Sequence, residues 1–203
     1  MKLLHLDSSL LGEGSASRQL TRSIVGRLHR DHPGLDVSYR DLDATPLSHL
    51  TGADLAAARQ PADSLDEATG ASVRANAAIL QEFLDADIVV VGAPMYNFGV
   101  PSVLKAWIDR ISIAGVTFRY TEKGPEGLSG GKRVVIASTR GGLYAEGSPF
   151  AAMDFQEAYL RAVFAFLGVT DVRVVRAEGL NIGPEQREAA MQAALGEPSR
   201  LAA

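Results

Sequence analysis

Short apolar runs alternate along the chain with segments in which apolar residues recur at helical spacing. Leu20, Ile24 and Leu28 illustrate the helical interval of four. Strands that alternate with helices predict a parallel sheet with helices on both faces, an α/β sandwich of three layers. The predicted strands are Leu3–Asp7, Asp36–Arg40, Asp87–Gly92, Arg133–Ser138 and Val172–Ala177.

Five such strands favour the flavodoxin-like order 2-1-3-4-5, in a single domain over residues 1–203. Two connecting segments are longer than this five-strand fold requires. Residues 40–63 predict a long connection with a short Ala-rich helix, and residues 114–131 contain the β-type stretch Val116–Tyr120. The second insertion is either a binding loop or lid, or a solvated surface loop.

Charge, hydropathy, and cysteine and histidine content exclude or disfavour several classes of function. A net charge of −4 gives no reason to expect a nucleic-acid or anionic-membrane partner. No apolar run is long enough to span a membrane, and the start of the chain lacks a signal-peptide pattern, so we expect a cytoplasmic protein. The absence of cysteine excludes thiolate nucleophiles and cysteine-bound metals, and the four histidines form no metal-ligand pattern.

The loop after the third strand presents Met95, Tyr96, Asn97 and Phe98. In parallel sheets, ligands bind just beyond the carboxyl ends of the strands. A thioether, two aromatic rings and an amide make a soft, flat surface. Such a surface suits an aromatic heterocycle better than a metal.

The loop after the first strand is rich in serine and glycine and leads into a helix. Ser9, Ser15 and Ser17 add hydroxyls to the free amides of a helix N-terminus, which favours an anion. A plain N-cap serine is the alternative. The Gly-Lys-Ser/Thr ending of a triphosphate loop is absent, so the pattern predicts a phosphate monoester.

The loop after the fourth strand contains Arg140, Gly141, Gly142 and Tyr144. The paired glycines allow close approach to a ligand. For Arg140 a solvated surface position is the default interpretation, and Tyr144 either packs or binds. Because the three loops meet at one edge of the sheet, their combination predicts flavin mononucleotide (FMN) as the ligand.

Several motifs over essentially the whole chain resemble the FMN-dependent NADH azoreductases, also described as NADH:quinone oxidoreductases. The matching segments are residues 93–98, 114–122, 124–128, 140–142, 177–179 and 183–185. The resemblance implies a homodimer with the active site at the subunit boundary. It implies FMN binding by Ser9, Ser15, Ala16, Ser17, Met95, Tyr96, Asn97, Phe98, Thr139, Arg140, Gly141 and Gly142.

The resemblance also implies substrate contacts. Phe118 and Tyr120 would approach the flavin of the partner subunit, and Arg59 would meet an anionic substrate or the nicotinamide cofactor. A surface position is the alternative for Arg59. Thr139 stands where some relatives carry serine, and Tyr144 stands where others carry histidine, which bears on substrate preference.

The implied reaction is ping-pong reduction of quinones or azo compounds by NADH or NADPH through flavin N5, with the amides near Asn97 and Gly141 beside the reactive ring. No acid or base side chain is required. A flavodoxin-like electron carrier is the principal alternative, and a flavin-free module is the second. Mild charge and an insertion near the site favour the enzyme.

Overall fold

The computed structural model describes residues 1–58, 60–61 and 64–196. Its strands are β1 (Lys2–Asp7), β2 (Asp36–Asp41), β3 (Ile88–Pro94), β4 (Phe118–Thr121), β5 (Gly124–Gly127), β6 (Arg133–Thr139) and β7 (Asp171–Ala177). Its α-helices are α1 (Ala16–Asp31), α2 (Gly52–Ala57), α3 (Glu67–Asp85), α4 (Ser102–Ile111), α5 (Phe155–Phe166) and α6 (Pro184–Gly196).

Five parallel strands form the main sheet in the order β2-β1-β3-β6-β7. Counted within this sheet alone, the order is 2-1-3-4-5, which confirms the predicted topology. The five predicted strands are confirmed to within two residues at each end. Strand β3 lies at the centre and is buried along its whole length, which explains its apolar composition on both faces.

Helices cover both faces of the sheet, as predicted. Phe83 of α3 and Trp107 of α4 meet edge to face in the core on one side, where Phe164 of α5 is also buried. On the other side, Leu20 of α1 and Met191 of α6 pack against the strands. Within the described residues, no helix combines the length and apolarity needed to cross a membrane.

The long connection after β2 contains the short helix α2, as the Ala-rich segment predicts. Thr51 and Asp54 close its first turn by exchanging side-chain to backbone hydrogen bonds, which satisfies the amides of both residues. Arg59, predicted as a substrate residue, lies outside the described residues.

Strands β4 and β5 form an antiparallel hairpin at the amino-terminal edge of the main sheet. Helices α4 and α5 both run from the carboxyl edge of the sheet toward this hairpin. The Ser129 amide donates to Leu167 O at 2.8 Å, just beyond the end of α5. The expectation that the insertion lies near the site is therefore wrong within one chain, because the two are at opposite edges.

Backbones approach closely where the hairpin meets the end of α5. A Cβ added to Gly127 would lie 2.0 Å from the Gly168 nitrogen, whereas one added to Gly130 would first meet Gly168 O at 3.5 Å. We expect Gly127→Ala to lower the free energy of unfolding in urea by about 1–3 kcal/mol through overpacking. Gly130→Ala is the matched control and should change it by less than about 0.5 kcal/mol. Equal effects would contradict this contact.

Candidate active site

Four loops at the carboxyl edge of the sheet converge on one cavity. Three of them follow β1, β3 and β6, as predicted. The fourth follows β7 and contributes Leu180 and Asn181, while Arg187 of α6 completes the wall. This fourth loop was not predicted as a site element. Its only signal in the sequence was the resemblance over residues 177–179 and 183–185.

The serine loop forms a cup of donors at the start of α1. Ser15 is the N-cap residue, and its hydroxyl accepts from the Arg18 amide at 3.3 Å. The amides of Ala16 and Ser17 have no acceptor within the helix, because the helix begins there. Ser9, Ser15 and Ala16 line the cavity, whereas Ser17 contacts Ser15 at 3.1 Å between hydroxyl oxygens. The cup presents donors without a cation in the loop itself.

Arg18 supports this cup from behind. Its guanidinium donates to Ser9 O at 2.9 Å and to both carboxylate oxygens of Asp41, at 2.5 and 2.8 Å. These hydrogen bonds hold the pKa of the Asp41 carboxyl below its usual value. Beside the pair, Asp7 accepts from Thr21 at 2.9 Å and from Tyr39 at 3.2 Å. No local sequence pattern predicts this buried network, because its members come from separate elements.

The loop after β3 is a tight turn with a strained backbone. Tyr96 and Gly99 exchange two backbone hydrogen bonds of 3.0 Å. Between them, Asn97 and Phe98 both adopt positive φ angles, of 49° and 69°. Asn tolerates this region, but a bulky ring there is unusual, and such backbone costs about 1–3 kcal/mol per residue. The hydrogen-bonded turn holds Asn97 and Phe98 at the wall of the cavity around Met95, in spite of this strain.

Tyr96 joins the first two loops. Its hydroxyl oxygen accepts from the Leu10 amide at 3.1 Å and lies 3.4 Å from the Ser9 hydroxyl oxygen. The third loop is tied to the same turn, because the Met95 amide donates to Thr139 O at 2.7 Å. The three predicted loops thus form one connected rim.

Gly141 and Gly142 present their amides to the cavity. Their carbonyl oxygens accept from Asn181 at 3.0 Å and from Gly179 at 2.8 Å, whereas their N–H groups have no acceptor within the described residues. A Cβ on Gly141 would lie 2.5 Å from Asn181 Nδ2, so any larger residue there would have to displace the Asn181 side chain. The pair therefore supplies the backbone edge that the sequence predicted.

Arg140 is fully buried, so its default interpretation as a solvated arginine is wrong. Its guanidinium donates to Asp154 at 2.7 Å and to Glu157 at 2.5 Å, and it also bonds Ser138 and Gln156. Only its main chain belongs to the rim. The side chain points into the protein and anchors the glycine pair.

Tyr144 both packs and lines the site. Its ring meets Phe98 edge to face at 6.2 Å between centroids, and its amide donates to Glu178 at 3.1 Å. Glu178 also accepts from the Ala145 amide at 3.1 Å, which fixes this loop. An adjoining apolar cavity is lined by Phe98, Leu143, Tyr144, Phe150, Met153 and Ile182. A flat apolar molecule fits such a wall.

The two predicted substrate residues of the hairpin, Phe118 and Tyr120, differ in their solvent exposure. Phe118 is buried within the chain and packs on Phe166 at 4.5 Å between ring centroids. Its contact with the flavin site of a partner subunit stays a prediction. Tyr120 is 76% exposed and stays a predicted substrate residue.

The donor set fits FMN. Hydroxyls and helix-terminal amides face one end of the cavity, and Met95 with the strained turn faces the other, with the Gly141–Gly142 amides at the side. A phosphate monoester, a flexible spacer and a flat ring with hydrogen-bonding edges match these three surfaces in order.

Fold and site together define a flavodoxin-like protein, and the family model for that fold matches residues 1–200. The chain belongs to the FMN-dependent NADH:quinone oxidoreductase family. It is 58% identical over 194 residues to a protein of that name from Methylocella silvestris, covering 96% of this chain and 95% of the relative. A protein of the same name from Sinorhizobium fredii is also 58% identical, covering 94% and 92%.

Solved structures agree with this assignment. An azoreductase from Bacillus anthracis superposes with a TM-score of 0.89 at 31% identity, covering 100% of this chain and 98% of that one. A second structure, of an FMN-dependent NADH-azoreductase from Bacillus anthracis in complex with FMN, has a TM-score of 0.87 at 26% identity, covering 100% of this chain and 99% of that one.

The Arg18–Asp41 pair predicts a pH dependence of stability. The pKa of Asp41 is lower in the folded state than in the unfolded state, so the unfolded chain binds more protons as the pH falls. The stabilisation is complete above the unfolded value of about 3.9 and is lost as the pH drops through the folded value. We expect Asp41→Asn to be less stable than wild type at pH 7, with a gap that narrows toward pH ~3.

Urea unfolding at several pH values measures this gap. Asp31→Asn is the control, because Asp31 pairs with Arg27 on the surface of α1. A gap for Asp41→Asn that stays constant with pH would contradict the buried pair.

Proposed function

We propose that this chain holds FMN in the rim cavity and uses NADH or NADPH to reduce quinones and azo compounds in the cytoplasm. One observation carries the proposal: the serine cup, the Met95–Phe98 turn and the Gly141–Gly142 edge line two cavities at one edge of the sheet, and Met95, Gly141 and Asn181 line both. The family named above performs reactions of this class according to its name.

Each rim segment has a separate task. The Ser9 and Ser15 hydroxyls, with the amides of Ala16 and Ser17, bind the phosphate, since free helix-terminal amides favour an anion. Met95 and the turn behind it support the ring. The Gly141 and Gly142 amides would donate to the ring's polar edge and would stabilise negative charge there.

Bound FMN would supply two-electron hydride chemistry between the reduced nicotinamide and the acceptor. The chain's part is to position both substrates in turn against the same exposed surface. The apolar wall that includes Phe98, Tyr144 and Phe150 excludes water there. One surface for donor and acceptor implies ping-pong kinetics.

An electron carrier without substrate turnover is less well supported. A carrier docks another protein through charges around its flavin edge. Here Asp154 and Glu157 at the rim are engaged by Arg140, and the surface beside the turn is apolar. An apolar cavity suits a flat small molecule.

A homodimer is part of the proposal. Tyr120, Val116 and Leu128 expose apolar surface around the hairpin. The hairpin lies at the opposite sheet edge from its own cavity, so Tyr120 contacts a flavin site only if that site belongs to a partner subunit. This placement supports a shared site between two copies.

The activity test uses purified protein reconstituted with FMN. We expect NADH oxidation with menadione well above that of free FMN, with parallel lines in double-reciprocal plots. Gly141→Ala should lower turnover about tenfold, because its Cβ displaces Asn181 at the rim. Gly183→Ala is the control, since its Cβ would meet no atom within 4 Å. Wild-type turnover no faster than free FMN would overturn the enzyme assignment.

Subunit mixing tests the shared site. Ser15→Asp should prevent phosphate binding by charge repulsion, and Tyr120→Ala should remove the partner's contribution. If each site takes its cup from one copy and Tyr120 from the other, random mixing restores about a quarter of wild-type activity. Tyr120→Ala mixed with wild type serves as the reference. Activity no higher than the sum of the two separate variants would show that one chain forms the site alone.

A further inference from the structure

The cup at the start of α1 is surrounded by arginines that already have partners. Arg18 is buried and bonded to Asp41 and Ser9 O. Arg22 is paired with Glu13, at 2.6 Å between Nη2 and Oε1. Arg140 is bonded to Asp154 and Glu157 beneath the rim. None of these three guanidiniums is available to a ligand in the cavity.

Arg187 differs from all three. It lines the same cavity as Ser9, Ser15 and Ala16, and it is half-buried. Within the described residues its side chain forms no ion pair and no hydrogen bond, although its amide donates to Gly183 O at 2.9 Å. Arg187 is therefore a cation that faces a cup of hydrogen-bond donors, and no described residue neutralises its charge.

The placement of Arg187 on α6 is specific. It lies four residues before Met191 and seven before Ala194, both buried against the sheet, so the three share one face of the helix. The turn at Gly179–Asn181, which is hydrogen-bonded to the Gly141 loop, fixes where α6 begins. The inward face of α6 thus passes beyond the sheet edge at Arg187 and meets the cavity.

A cation in the first turn of a helix is disfavoured by the helix dipole. Arg187 is the fourth residue of α6, so it occupies such a position. Within the described structure, no ion pair offsets this unfavourable interaction between the Arg187 charge and the helix dipole. A negatively charged ligand in the cavity would offset it.

We propose that Arg187 is the counter-charge for the cofactor's phosphate and selects the phosphorylated flavin over riboflavin. This inference rests on the proposed function. A phosphate monoester carries up to two negative charges near pH 7. The serine hydroxyls and helix amides of the cup are neutral donors, so they leave that charge unbalanced. The guanidinium from α6 takes the part that a loop lysine has in triphosphate-binding loops.

The test compares two flavins on apoprotein prepared by removing any bound cofactor. Quenching of flavin fluorescence gives dissociation constants for FMN and for riboflavin. For Arg187→Gln we expect FMN affinity to fall about ten- to hundredfold, the usual worth of a hydrogen bond to a charged group, with riboflavin affinity within about twofold of wild type. The FMN affinity of Arg187→Lys should lie between those of wild type and Arg187→Gln, because lysine keeps the charge and loses the paired guanidinium donors.

Arg27→Gln is the matched control. It removes the same charge from α1, where Arg27 pairs with Asp31 at the far end of the helix from the cup. It should leave both affinities unchanged. FMN binding should weaken with salt in wild type, and this dependence should be smaller in Arg187→Gln.

The outcomes separate the two proposals. Wild-type apoprotein that binds neither flavin overturns the FMN site itself, and this inference with it. Wild-type binding with an equal loss of both flavins in Arg187→Gln overturns the phosphate role alone and assigns Arg187 a structural one. A ratio of the FMN and riboflavin dissociation constants that is the same in Arg187→Gln as in wild type also overturns the phosphate role. Far-ultraviolet circular dichroism on each variant confirms that the fold is retained.

Discussion

The buried guanidinium of Arg140 holds the rim together. It binds Asp154 and Glu157 of the segment that begins α5, and Glu157 in turn accepts from Arg176 of β7. Breaking a buried pair by removing one partner strands a charge in a poorly solvated place, which costs several kcal/mol. The glycine pair therefore has a fixed position before any ligand arrives, and its amides need no reorganisation.

Two kinds of support are used around the cavity. Ion pairs buried behind the rim, formed by Arg18 and Arg140, set the position of main-chain atoms. The ligand-facing surface consists mostly of hydroxyls, amides and apolar side chains. With FMN bound as proposed, this separation would keep strong electric fields away from the ring while still fixing the loops. It would leave Arg187, which lines the same cavity, to balance the charge of the phosphate.

The predictable part of the molecule follows local pattern. Strand positions and topology were predictable because buried parallel strands such as β3 are apolar on both faces. The serine cup and the glycine pair were predictable because they adjoin strand ends. Burial of Arg140 was not, since its partners lie 14 and 17 residues away on another element. The packing of Phe118 on Phe166 was not predictable either, because a β-type pattern does not reveal which face of a hairpin packs on the rest of the chain.

The hairpin at the far edge of the sheet has a consequence for how the protein behaves on dilution. A single copy contains the whole cup and rim, so it can retain its cofactor. It cannot bring its own Tyr120 to that cavity, because the body of the sheet lies between them. With a shared site, dilution to the point of subunit dissociation would give a yellow but slow protein. At low protein concentration, specific activity would then fall while cofactor content stayed the same.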